Sequence, residues 1–187
     1  MNLNEDEIKN IYGREELAAG AERIFNASAE FFLSLKTEEF FKNFNGSWSA
    51  EKNLRHLIKS TLPIYLGIKS PKFLLQLLFG KGRAKSRTYS EIREDYLSRL
   101  ASGSGAGIFE PLFNSAGKPE EQKRLVDDWT ELGRNYVTAF KALSEEQLDG
   151  LNMPHPILGN ITVREMILFS LMHVFHHVKK YIEKTAR

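Results

Sequence analysis

The sequence predicts an all-α fold: four principal helices packed as a four-helix bundle, with short accessory helices in the connection between the second and third long helices. Three observations predict it. Apolar residues recur at the helical period through several long segments. Helix-start signals stand directly before those segments. No segment shows a convincing strand period, and no internal repeat is visible. At 187 residues, 42% of them hydrophobic, the chain suits a single domain, residues 1–187, with one substantial core.

The first long helix is predicted from Arg14 to about Phe44. There Leu17, Ala21, Ile24, Phe25, Ser28, Phe31, Phe32 and Leu35 form one stripe, and a break is expected near Lys36-Thr37. Asn45-Gly46 supplies turn chemistry. The second helix starts at Trp48-Ser-Ala-Glu, with Ser49 as N-cap and Glu51 in the first turn, where the helix dipole favours a carboxylate. Its apolar face carries Leu54, Leu57, Ile58, Thr61, Leu62, Ile64 and Tyr65, and Pro63 predicts a kink or an end. Phe73 to Phe79 reads as a short core helix ended by Gly80, and Lys81-Gly-Arg-Ala-Lys-Ser-Arg87 as a solvated basic loop. The competing reading of this stretch is contact with an anionic membrane surface or with phosphate.

Tyr89 to Leu100 is expected as a modest helix, and Ala101-Ser-Gly-Ser-Gly-Ala-Gly107 as a flexible loop that Pro111, Gly117 and Pro119 extend. Pro119 opens the third long helix, whose stripe is Leu125, Trp129, Leu132, Tyr136, Ala139, Phe140 and Leu143. Met153-Pro-His-Pro-Ile-Leu-Gly-Asn160 reads as a connector whose two prolines hold His155 in extended or turning backbone. Thr162-Val-Arg-Glu165 is a capping box: the threonine hydroxyl accepts from the Glu165 N–H, and the glutamate reaches back. It sets the start of the last helix.

A formal charge of +2 is too small for an overall field that would draw nucleic acid or a membrane surface. The absence of cysteine excludes disulfides, thiolate metal sites and cysteine nucleophiles. The acidic start, Met1-Asn-Leu-Asn-Glu-Asp-Glu-Ile, does not suit a secretory signal, and no apolar run approaches the length of about 20 residues that spans a bilayer. The expected location is therefore the cytoplasm. The glycosylation triplets at Asn26, Asn45 and Asn160 read as chance matches.

The last helix carries three of the five histidines inside the most apolar segment of the chain. At about 100° per residue, His173 and His177 lie one turn apart on one face, whereas His176 turns about a quarter turn aside. Buried imidazoles need partners, and either a divalent metal or ordinary hydrogen bonds would serve. The third histidine most easily combined with them is His56. Its projection, beside Asn53 and Ser60 and opposite the apolar face of the second helix, suits either a solvated side chain or the edge of a polar pocket. Three neutral imidazoles suit zinc, nickel, copper or iron and leave open positions. No zincin base is present, because Val174 follows His173, and no serine stands in a nucleophile elbow.

Trp48-Ser-Ala-Glu-Lys-Asn-Leu-Arg-His56-Leu57, followed by Pro156-Ile-Leu-Gly159-Asn-Ile-Thr162-Val-Arg-Glu165-Met166 and His173-Val-Phe-His-His177, resembles the DinB-like superfamily of metal-dependent enzymes. The resemblance implies one divalent metal ion, Zn, Ni or Fe, held by His56, His173 and His177, with the polar face of the second helix bordering the metal pocket. Members with known activities use low-molecular-weight thiols, as S-transferases and a thiol-dependent isomerase. The expected function is therefore a metal-dependent enzyme, a thiol-dependent S-transferase or hydrolase. The competing reading is a non-catalytic bundle that binds a small ligand or a protein partner. Expected partners are a small-molecule substrate, a low-molecular-weight thiol and a second copy in a homodimer, with no nucleic acid and no membrane. Where family members often carry glutamine about three residues after the last histidine, this chain has Lys180, a cation that opposes a metal's charge unless it points outward or meets an anionic substrate; Lys52 and Lys59 beside His56 read as solvated, the competing reading being a pocket suited to a carboxylate or an acidic thiol.

Overall fold

The computed structural model describes residues 5–43, 46–102, 109 and 115–185. The predicted turn at Asn45, the far end of the first helix at Phe44, most of the Ala101–Gly107 loop and Pro111 lie outside them. The fold is all-α apart from one hairpin. In chain order the elements are α1 (Asp6–Lys9), α2 (Arg14–Ser34), α3 (Thr37–Phe41), α4 (Ala50–Lys69), α5 (Lys72–Phe79), α6 (Tyr89–Ala101), α7 (Pro119–Lys141), α8 (Glu145–Gly150), β1 (Asn152–His155), β2 (Gly159–Thr162) and α9 (Val163–Thr185).

The four long helices share one core. α2 packs on α7 and α9, and α4 packs on the same two. The tightest meeting is between α2 and α7, where Phe25 lies 4.6 Å from Trp129 and 5.8 Å from Tyr136, centroid to centroid. Gly133 allows that approach: a Cβ there would stand 2.5 Å from the Phe25 ring. The polar atoms carried into this core are paired. Trp129 Nε1 donates to Ser28 Oγ, which donates to the Phe25 carbonyl, and the Tyr136 hydroxyl donates to Ser170.

Helix starts follow the expected chemistry. Ser49 Oγ accepts from Lys52 N at 3.1 Å, and Glu51, buried, pairs with Arg55, which reaches on to Glu121 of α7. The chain breaks between α2 and α3 at the expected point. Thr162 Oγ1 accepts from Glu165 N at 3.1 Å, and Glu165 accepts from Thr162 N at 3.3 Å. α9 then runs buried on every side from Val163 to Phe175 and on one face beyond.

Three expectations need correction. Of the two outcomes expected at Pro63, the end does not occur: α4 continues to Lys69, with Pro63 on an exposed side of the helix. The supposed connector is an antiparallel hairpin pairing Asn152 with Thr162 and His155 with Gly159. Strands of four residues, one carrying a proline, are too short for the two-residue period to be read. Finally, α5 is not a core helix: it buries only Leu75, and Phe73, Leu77 and Leu78 are exposed. The basic loop after it is partly anchored, since Arg87 pairs with the buried Glu165 and with Asp95, and Ser86 is buried against Thr162. Among the described residues no helix is long and apolar enough to cross a membrane.

Candidate metal centre

α4 and α9 lie side by side, and their contact brings the three predicted histidines together. His56 is 4%, His173 8% and His177 9% exposed. His56 is therefore not the solvated residue its projection allowed; the polar face of α4 borders a cavity. The Nε2 atom of His173 stands 3.0 Å from His56 Nε2 and 3.0 Å from His177 Nε2. All three candidate ligand atoms lie within 4.8 Å of one another.

The opposite edges of two rings are fixed. Asn53 donates its amide hydrogens to the carbonyls of Trp48, at 3.2 Å, and Ser49, at 2.8 Å. Its Oδ1 must therefore be the atom facing His177 Nδ1 at 2.7 Å, and Nδ1 must carry the proton. His56 Nδ1 faces the Phe109 carbonyl at 3.0 Å, which can only accept, so it too is the protonated nitrogen. In their neutral forms both residues then turn an Nε2 lone pair toward His173. A hydrogen on His173 Nε2 could serve one of these lone pairs well, but not both. A cation at the centre serves all three.

The spacing and charge state fit a divalent ion. Nitrogen donors about 2.1 Å from one ion stand about 3.0 Å apart at a right angle and about 3.4 Å apart at the tetrahedral angle. Burial holds all three imidazoles below the ordinary histidine range, His173 and His177 well below it, and the neighbouring histidines push the same way for these two; Lys59 adds to the shift of His56. They are neutral at pH 7, the form that ligates. Hydrogen-bonded Nδ1 atoms are the usual support of histidine ligands, since they fix both tautomer and ring direction. Trp48 closes one side, stacked 6.1 Å from His177 and tilted against His56 at 5.2 Å, centroid to centroid.

The cluster faces a cavity of about 700 Å³. His176 and Lys180 line it, His176 half-buried and Lys180 exposed at the histidine end. His155 also lines it and holds the hairpin turn: its Nδ1 accepts from Ile157 N at 3.1 Å and Leu158 N at 2.9 Å. Tyr96 and Phe169 enclose its ring. Among the described lining residues none is Asp or Glu. The site residues not singled out as such from sequence are Asn53 and the Phe109 carbonyl. Asn53 stands one turn before His56 on the same face, a readable signal; a backbone carbonyl leaves none.

No protein-family model matches the chain, and a search of curated proteins found no match.

Proposed function

We propose that this protein is a metal-dependent enzyme of the DinB-like superfamily, with one divalent ion held by His56, His173 and His177. The observation that carries the reading is the convergence of three buried, neutral Nε2 atoms, two of them fixed as lone-pair donors by Asn53 and Phe109. The resemblance through Trp48–Leu57 and Pro156–His177 supports the family and the thiol chemistry. A divalent ion there supplies Lewis acidity toward a substrate oxygen or sulfur and lowers the pKa of a bound water or thiol.

The chain's own residues do the rest. The cavity encloses the substrate, Trp48 and Phe169 keep bulk water from the histidines, and Lys180 places a positive charge at the histidine end. Metal-assisted hydrolysis of the zincin type uses a carboxylate base, and none lines the cavity among the described residues. Of the two expected reactions, thiol-dependent S-transfer is the one that the resemblance carries. The test is zinc and nickel titration of untagged, chelator-treated protein. One ion per chain, lost in His173→Ala, supports the reading; no binding in the wild-type protein refutes it.

A further inference from the structure

The cavity changes character along its length. On α4 its wall runs from Asn53 and His56 through Ser60 to Ile64 and Gly67; on α9 it runs from His177 and His173 through Phe169 to Met166. The two series descend together, because His56 meets His173 at one end and Gly67 packs on Met153 of the hairpin at the other. From His56 to Gly67 on α4, and from His177 to Met166 on α9, each covers about 16 Å of helix at about 1.5 Å per residue. The remaining wall at the far end is mostly apolar, with Leu74, Leu75 and Leu78 of α5 and Leu100 of α6, and its polar side chains are Ser70, Tyr96 and His155. Among the described lining residues, Lys180 is the sole lysine or arginine, and it belongs to the histidine end. The outer wall, α5, is joined through Ser70-Pro71 and through Gly80 at φ +75°, and on its side away from the cavity Phe73 is 71% and Leu77 77% exposed.

A polar thiol of peptide-like composition would leave this apolar end without a counterpart. We propose that the cavity binds an aliphatic carboxylate, its head group at the histidines and Lys180 and its chain between α5, the hairpin and the α4–α9 groove. The placing of the head group rests on the metal reading; the placing of the chain does not. A groove of about 16 Å takes about a dozen carbons at about 1.3 Å per carbon, from C–C bonds of about 1.5 Å.

The test is calorimetric titration of the full-length protein, both chelator-treated and zinc-loaded, with butyrate, hexanoate, decanoate and decyltrimethylammonium. Each pair of added methylenes should tighten carboxylate binding about tenfold, and decanoate should bind more tightly than the cationic amphiphile. Gly67→Leu, whose side chain enters at Met153, and Leu78→Glu, at a position 60% exposed that tolerates the change, should each weaken decanoate at least tenfold without altering zinc titration. Affinity that ignores chain length, or that survives both substitutions, overturns the proposal. Equal binding of decyltrimethylammonium overturns its anionic head group. A flat chain-length series in protein that binds zinc defeats this proposal alone; a steep series in protein that binds no zinc defeats the metal reading alone and leaves the head group to Lys180.

Discussion

Asn53 is the residue through which the geometry of the centre can be tested without removing a ligand. Its amide is polarised by the backbone at the start of α4, donating to Trp48 O and Ser49 O, so that Oδ1 faces His177 Nδ1. Asn53→Leu keeps the approximate volume but removes the acceptor. The freed imidazole can rotate or exchange tautomers, and loss of such a partner costs roughly 10–100-fold in metal affinity. That is about 1.4–2.7 kcal/mol, so the rise in melting temperature on adding excess zinc should shrink by about 3–10 °C, at about 2–4 °C per kcal/mol for a chain of this size. Asn53→Asp separates positioning from packing. A carboxylate still accepts from His177 Nδ1–H but meets two carbonyl oxygens in place of donating to them, so the metal-free protein should lose stability while zinc affinity stays near wild type. The measurements are competition titration with a chromophoric chelator and paired thermal scans with and without zinc. Wild-type zinc affinity in the leucine variant, or an aspartate variant as weak as the leucine one, would refute Asn53 as the orienting partner of His177.

Two further expectations follow from buried charge and buried imidazole. Burial depresses His155 to a pKa of about 4, below the 6.5 of an exposed histidine. The unfolded chain therefore takes up the proton first: the stability at stake is intact above pH 6.5 and falls away toward pH 4, by about 3 kcal/mol for this residue. Urea titrations of metal-free wild type and His155→Phe from pH 7.5 to 4 should show the shallower pH dependence in the variant, and parallel curves would defeat the assignment. Arg164, 1% exposed at its side chain, bonds Asp149 Oδ1 and Glu145 Oε2 at 2.6 Å each and also donates to the Tyr12 carbonyl. Arg164→Met leaves the mostly buried Asp149 without its cation and should cost about 3 kcal/mol, read as a fall in urea midpoint with an unchanged slope.

Helices were legible where period and caps coincide. Ser49, Pro119 and the Thr162–Glu165 box mark three starts that the structure reproduces, and Trp129 and Tyr136 of the predicted third-helix stripe lie on the face of α7 that meets α2. The pair His173 and His177 was legible for the same reason, since the capping box sets the phase of α9. His56 was legible only through the resemblance: projection places it opposite the apolar face of its own helix, and tertiary packing turns that side toward α9. The hairpin escaped because two four-residue strands carry too little pattern. α5 misled in the opposite direction. Phe73, Leu74, Leu75, Leu77 and Leu78 have the composition of a core segment, but composition does not reveal that the cavity lies on one side of the helix and solvent on the other.

The histidine cluster and the apolar end of the cavity are two consequences of one arrangement. Burying three imidazoles where their Nε2 atoms face one another leaves lone pairs that the protein alone does not fully satisfy, at a cost of about 1–3 kcal/mol for each group so left. The fold meets that cost because α9 is packed on all sides up to Phe175, and because Arg164 and Glu165 tie its first turn to α8 and to the loop before α6. The rigid part of α9 thus begins at the apolar end and reaches the histidines, with the hairpin closing the cavity floor through Met153. A ligand that fills the apolar end contacts the most firmly held turns of α9, whereas a ligand at the histidines contacts the turns nearest its exposed end. Of the walls of the cavity, α5 is the least embedded in the core, with one buried residue and an exposed outer face, in contrast to the helices that hold the histidines.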